Sequence, residues 1–455
     1  MYSLIIIGIS VATIVLLKLL SDKNLIKNLN LIIKILAVAF TLTGVTRFLL
    51  SDAFIEVVSG MSDPLQSFLR WGYQIGYAII PMSVFFNSRI LRNIASYFTL
   101  PVTVLAVIFY DDTFKYFLDT RGNGFDVPTE VRHIQYIIEL SLALISIALM
   151  IISNKHIIDI KNKKEVGLTL LLLPLILMQM MPSYIPSSLL KELNLTTGMF
   201  GELHVLWLCC LFATAFLLHF ILRNRTKEQK YTFLVFLSVA QVIHTTSQFL
   251  KGFTYSRLPL QLCNVAGFFY LIMLITRNRK LFNFCFLANL VGAAIALILT
   301  NFAPDAQNFW NIHYIYEHSY VVIVPILCVS LGIFPRPNKS AILDMLKIFS
   351  VYFVFVFVLG TILNGLETTP DYGVVNHFYM FNPVVAVEYL PFAGFTGAVH
   401  LTFGTFEVYP ILVGVIYVFF IALNVIYYFI SQGLFKLSDI IRASLAKKEE
   451  KLVTK

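Results

Sequence analysis

The chain has 455 residues, of which 58% are hydrophobic and only 13% charged, with a formal net charge of +9. That apolar share and a mean hydropathy of +0.80 exclude a soluble globular domain, so the chain reads as an all-α polytopic membrane protein. Its five cysteines (Cys209, Cys210, Cys263, Cys285 and Cys328) lie in or beside apolar segments. They show neither metal-ligand spacing nor a secreted-domain framework, so no metal and no diffusible cofactor is implied.

Runs of about 20 apolar residues mark transmembrane helices, and thirteen can be read in chain order. The first six are 2–20, 30–50, 67–88, 93–110, 133–153 and 166–184. The next seven are 203–223, 231–250, 259–276, 281–300, 315–334, 344–366 and 406–430. The third, ninth and eleventh carry polar residues in their first turns. Met1–Leu20 lacks a basic leader and a small-residue cleavage site, so it reads as a retained span and not as a signal peptide.

The loops alternate in charge. Lys23 and Lys27 follow the first span, Arg89 and Arg92 the third, and Lys155, Lys161, Lys163 and Lys164 the fifth. Arg223, Arg225, Lys227 and Lys230 follow the seventh, Arg277, Arg279 and Lys280 the ninth, and Arg336, Lys339 and Lys347 the eleventh. The intervening loops are acidic or mixed, with Asp52, Glu56 and Asp63, then Asp111, Asp112, Asp119 and Asp126, then Asp305, then Glu367, Asp371 and Glu388. The positive-inside rule then puts the N-terminus out and the C-terminus in, which an odd number of spans requires. The basic excess is thus an orientation signal and does not call for a nucleic acid partner.

The two halves echo one another. Ile134–Ser141 resembles Ile312–Ser319, and Asn87–Asn93 resembles Arg277–Asn283 in the corresponding basic turn. The pattern reads as a parallel tandem repeat of a six- or seven-helix unit. On that register Tyr73 stands where Cys263 does, and Leu140 where His318 does. Residues 1–195 are then a degenerate six-helix half without the chemistry, 196–432 a seven-helix half, and 433–455 a basic cytoplasmic tail.

Polar groups gather at one end of the second-half spans. Cys263 opens the ninth, Glu317 and His318 open the eleventh, His204 begins the seventh, His244 lies in the eighth, and Asn364 ends the twelfth. Such groups are costly inside a bilayer, and their common depth points to a cavity. On an ideal helix Tyr314 and His318 share a face. Glu317 lies about 100° from His318, which makes it a poor orienter of that ring. Arg257, Gln261 and Asn264 form a stripe that leaves Cys263 to one side. A thiol and an imidazole are the minimum for nucleophilic acyl chemistry, because the imidazole can take the proton that keeps the sulfur unreactive.

Several strings resemble those of the YwaF-like integral membrane proteins, a family with an animal relative, transmembrane protein 164. They are Phe200–His204, Leu258-Pro259-Leu260-Gln261-Leu262-Cys263, Thr276–Phe282, Phe309–Ser319, and Asn364 followed by Asn376–Met380. Together they cover roughly residues 196–432. Gln261 stands where the family usually has His, and the N-terminal half is an addition. The resemblance implies a phospholipid acyltransferase that moves a fatty acyl group from a glycerophospholipid to a lysophospholipid through a Cys thioester. Cys263 would be the nucleophile and His318 the base. His204, Gln261, Asn264, Tyr314, Glu317 and Asn364 would be lining or orienting residues, and the location a cell membrane, bacterial by the same resemblance. The alternatives are a lipid hydrolase, with water as acceptor, and a non-enzymatic lipid or small-molecule transporter or binding protein.

Overall fold

The computed structural model describes residues 1–50, 64–86, 88–111, 113, 128–154, 161–179, 196, 198–246, 255–299, 309–366, 374–383, 391–404 and 406–453. The acidic loop positions Asp52, Glu56, Asp63, Asp112, Asp119, Asp126, Asp305, Glu367, Asp371 and Glu388, and the basic Lys155, lie outside the described residues.

Every one of the thirteen apolar runs contains a helix. In the first half these are α1 (Tyr2–Asp22), α2 (Leu29–Leu50), α3 (Pro64–Phe85), α4 (Arg89–Ile108), α5 (Thr129–Asn154) and α6 (Lys163–Gln179). The second half has α7 (Glu202–Leu222), α8 (Lys227–Thr246), α9 (Leu262–Thr276), α10 (Arg279–Ile298), α11 (Phe309–Ser330), α12 (Ser340–Leu366) and α13 (Pro410–Val453). Among the described residues, seven helices (α1, α4, α5, α7, α10, α12 and α13) are long and apolar enough to cross a membrane. The protein is therefore an all-α, multi-pass membrane protein, its one sheet among the described residues being the hairpin β1 (Leu401–Phe403) and β2 (Phe406–Val408).

Several boundaries differ from the sequence reading: α11 starts at Phe309 and not at 315, so Glu317 and His318 lie in its third turn and do not open it, and two other spans start late. The last span begins at Pro410 and not at 406, because residues 406–408 pair with 401–403 as β2. Its 44 residues correspond to about 66 Å of helix, twice the hydrocarbon thickness. The basic tail thus continues the same helix. Arg336 ties it to the loop after α11, donating to Asp439 at 2.7 and 2.8 Å and lying 4.8 Å over the Phe435 ring. The second late start is that of α9, which begins at Leu262. Pro259 has no N–H, the Leu260 N–H bonds back to the Leu258 carbonyl at 2.7 Å, and Gln261 is extended as the N-cap. Arg257 and Gln261 precede the helix, so the expected stripe with Asn264 does not exist.

Helices α4 and α10 are built alike. A side-chain oxygen of Ser88 or Asn278 caps the amide of Leu91 or Leu281. Each helix then runs six residues as α, five as π (Ala95–Thr99 or Cys285–Asn289) and nine as α. Asn93 donates to the Thr169 hydroxyl of α6 at 3.1 Å, and Asn283 donates to the Asp344 carboxylate of α12 at 2.8 Å. A π-turn inserts one extra residue and redirects the helix face, and both helices carry it at the same offset.

The chain forms two compact units, one of Met1–Arg257 with Thr300–Tyr320 and one of Leu258–Leu299 with Val321–Lys455. In the first, α5 packs on α1 and α2, and α3 on α4. Its interior holds Glu139, fully buried, which accepts hydrogen bonds from the Tyr73 hydroxyl at 2.6 Å and from the Tyr77 hydroxyl. Phe40 stacks on Tyr77 at 5.0 Å. In the second unit α12 packs on α10 and α13. Gly360 of α12 lets Phe381 approach, since a Cβ there would lie 2.6 Å from the Phe381 ring.

Candidate functional site

The candidate residues fall in both units. In the second unit, Cys263 is the second residue of α9, half-buried, with its thiol donating to the Asn264 side-chain oxygen at 3.0 Å. Amide N–H groups in a helix's first turn have no intrahelical acceptor and carry partial positive charge, the environment in which a thiolate or an oxyanion is stabilised.

What holds this turn still is a set of side-chain hydrogen bonds to the backbone around it. The Tyr352 hydroxyl of α12 donates to the Leu260 carbonyl at 2.8 Å. Asn289 donates to the Leu262 carbonyl at 2.5 Å. It is the last residue of the π-turn in α10, so the extra residue of that turn helps aim its amide at the cysteine's neighbour. Gln261 accepts from the Phe378 N–H at 3.1 Å and so joins the segment before Cys263 to the loop after α12.

That loop is itself fixed. Phe378 and Tyr379 have φ of 55° and 61°, a left-handed conformation costly for side-chain-bearing residues. The Phe378 ring sits among those of Phe349, Tyr352, Phe353 and Phe420 at centroid distances of 5.5 to 6.3 Å. Asn364 closes the loop by donating to the Val375 carbonyl at 3.0 Å and accepting from its N–H at 2.7 Å. Its role is thus to hold the backbone. Asn364→Ala is expected to lower stability by about 2–4 kcal/mol, because two buried backbone groups lose their partner. Thermal unfolding in detergent measures this, and a shift indistinguishable from wild type would refute the clamp.

In the first unit, α7, α8 and α11 bring together His204, His244, Tyr314, Glu317 and His318. Leu203 and Ile315 pack together, with Trp207 and Tyr314 against them. Glu317 is buried and accepts from the Thr245 hydroxyl of α8 at 2.8 Å, so the acid serves a neighbouring helix. The His244 ring stacks on Tyr316 at 5.5 Å. Nδ1 of His204 accepts the N–H of Phe200, itself at φ 61°, at 2.9 Å. In a neutral ring the proton then sits on Nε2. Residues Thr196 and Glu202 brace this start of α7 by exchanging hydrogen bonds of 3.0 Å.

His318 is the opposite tautomer. Its Nδ1 lies 2.7 Å from the Tyr314 carbonyl oxygen, and its ring lies 4.0 Å from that of Tyr314. A carbonyl oxygen only accepts, so Nδ1 carries the proton and Nε2 presents its lone pair.

Two contributors were not among the sequence candidates. Asn289 and Tyr352 each face a backbone carbonyl beside Cys263. The available signal for Asn289 was a lone amide deep in an apolar span, a costly choice that asks for a partner. Tyr352 is one of 22 tyrosines, and nothing in its spacing distinguishes it.

No curated protein and no solved structure matches the chain. Residues 199–428, about half of the 455 and running from the residue before Phe200 through α13's apolar part, match the TMEM164 family. With that match over the segments that carry Cys263 and His318, the chain belongs to the TMEM164 family.

Proposed function

We propose that the protein is a membrane-embedded phospholipid acyltransferase that works through a thioester on Cys263, with His318 as its base. The observation that carries this reading is Cys263 in the first turn of α9, pinned through the backbone by Tyr352, Asn289 and Gln261. A thiol that only filled space would not need its backbone fixed from three other elements, whereas a nucleophile must be held to within a fraction of an ångström. The tautomer of His318 supports it independently.

In the first half-reaction His318 Nε2 takes the thiol proton as sulfur attacks the ester carbonyl of a glycerophospholipid. The acyl C–O bond breaks, and the lysophospholipid alcohol leaves with that proton. In the second, a lysophospholipid hydroxyl gives its proton to His318 and attacks the thioester. The C–S bond breaks and the thiol is restored. No cofactor takes part in this scheme. Partners are phospholipids and lysophospholipids of a cell membrane, residues 196–432 carry the chemistry, and residues 1–195 are a repeated half in which Tyr73 and Leu140 replace the pair.

The test is the mass of the purified protein after incubation with a diacyl phospholipid. A hydroxylamine-labile acyl group on Cys263 is expected; absence of any adduct with phosphatidylethanolamine, phosphatidylglycerol and phosphatidylcholine would sink the thioester. His318→Asn separates the base from its anchor, because an Asn amide can still donate to the Tyr314 carbonyl but has no basic nitrogen. It is expected to fold as wild type while acyl transfer falls about 10²- to 10⁴-fold. Transfer within threefold of wild type would remove His318 from the chemistry.

A further inference from the structure

An apolar groove of about 500 Å³ including its open mouth lies within the first unit, at the basic end of α7 and α8, away from every residue named in the candidate site. Its walls include Leu91 of α4, Leu172 of α6, Leu222 of α7, and Phe233 and Phe236 of α8. Arg225, Gln229 and Thr232 line it as well, Arg225 exposed in the turn and Thr232 buried. The Thr232 hydroxyl, in a residue only 4% exposed, has no hydrogen-bond partner among the described residues. In a membrane helix such a hydroxyl ordinarily bonds the carbonyl one turn back, so a donor left over in a groove wall is suited to a ligand acceptor.

We propose that this groove binds a phospholipid with an anionic head group, its phosphate at Arg225 and one acyl chain along the groove. Charge complementarity argues for the head. Among the described residues, this end of the helices carries Arg223, Arg225, Lys227 and Lys230 in one turn, Arg89 and Arg92 on α4, and Lys163 and Lys164 on α6, against Glu165 and Glu228. Glu165 is already paired with Arg89 at 3.4 Å. Depth argues for the chain. Gln229 to Phe236 spans about 10 Å of helix, with polar groups at the basic end of the groove and aromatic rings at the other, the order in which a lipid presents its head group and its chain. The groove binds a lipid whether or not Cys263 forms a thioester.

Native mass spectrometry of the full chain, delipidated and titrated with dioleoylphosphatidylglycerol or dioleoylphosphatidylcholine, tests this. Wild type is expected to retain one phosphatidylglycerol that Leu172→Trp, which fills the groove, loses. Arg225→Gln is expected to lower the preference for phosphatidylglycerol over phosphatidylcholine at that site at least fivefold. If Leu172→Trp keeps the wild-type number of bound lipids, or if Arg225→Gln leaves the preference unchanged, the assignment falls. Should Leu172→Trp fail to fold, the Arg225→Gln ratio decides alone.

Discussion

Cys263→Ala is expected to abolish the acyl adduct and to reduce phospholipid-to-lysophospholipid transfer on the order of 10³-fold or more, with the fold retained. The magnitude follows from removing the atom that bonds to the acyl group, for which no neighbour substitutes. The fold should survive because the side chain is half-buried and its hydrogen bond goes to the adjacent Asn264. The backbone of that turn is held instead by hydrogen bonds of Tyr352 and Asn289 to the Leu260 and Leu262 carbonyls and of Gln261 to the Phe378 N–H. Two further variants sharpen the result. Cys263→Ser keeps a hydroxyl of similar size and is expected to be nearly as inactive, since an alcohol far from ionisation is the poorer nucleophile. The double variant with His318→Asn should be no slower than Cys263→Ala alone, as expected of groups that act as one device. Radiolabelled acyl transfer in detergent micelles reads all three. Strictly additive losses would mean that the two residues do not share a step.

The second large effect is on stability and falls in the other half of the chain. Glu139→Leu is expected to cost about 2–6 kcal/mol, because it strands two buried phenol hydroxyls at roughly 1–3 kcal/mol each. Tyr73 and Tyr77 are only 2% and 3% exposed, and both donate to the same carboxylate oxygen. Glu139→Gln keeps an oxygen in that position and can accept both bonds, so its cost should be under about 1.5 kcal/mol. Adding Tyr73→Phe to Glu139→Leu should recover part of the loss, since the stranded donor goes with it. Unfolding in a mild detergent, followed by the fraction that remains monodisperse, measures the series. If Glu139→Gln is as damaging as Glu139→Leu, the negative charge is the required feature and the acceptor role alone is insufficient.

The position of Glu139 also bears on the repeat. The echo that aligns Ile134–Ser141 with Ile312–Ser319 aligns Glu139 with Glu317. Each acid is buried on its helix and accepts a hydroxyl from another, Tyr73 and Tyr77 of α3 in one case and Thr245 of α8 in the other. In the first half a tyrosine that bonds this acid stands in the register of Cys263. A phenol donating to a buried carboxylate is committed to structure.

Most of the fold was legible in the amino-acid order, because the bilayer imposes one demand that shows in composition alone. Every backbone polar group in hydrocarbon must be satisfied within its own segment. Apolar runs of about 20 residues therefore become helices, and all thirteen runs contain one. Boundaries were less legible where the backbone does something other than helix. Pro259 delays α9 to Leu262, and a two-stranded hairpin delays α13 to Pro410. Both depend on pairings that hydropathy does not register.

The candidate residues were legible as types and positions, since a thiol, imidazoles and a carboxylate are expensive in an apolar chain and few in number. What each one does was decided by tertiary structure. Glu317 turns to Thr245, Gln261 to the Phe378 amide and Asn364 to Val375. The sequence by itself determined that this is a helical membrane protein with Cys263 near a helix start, because solvent and chain chemistry act residue by residue; His318 proved to lie in the third turn of α11. Only the tertiary structure decided that Asn289 and Tyr352 brace the cysteine's turn, because a hydrogen bond between helices 27 or 92 residues apart exists only once packing has brought them together.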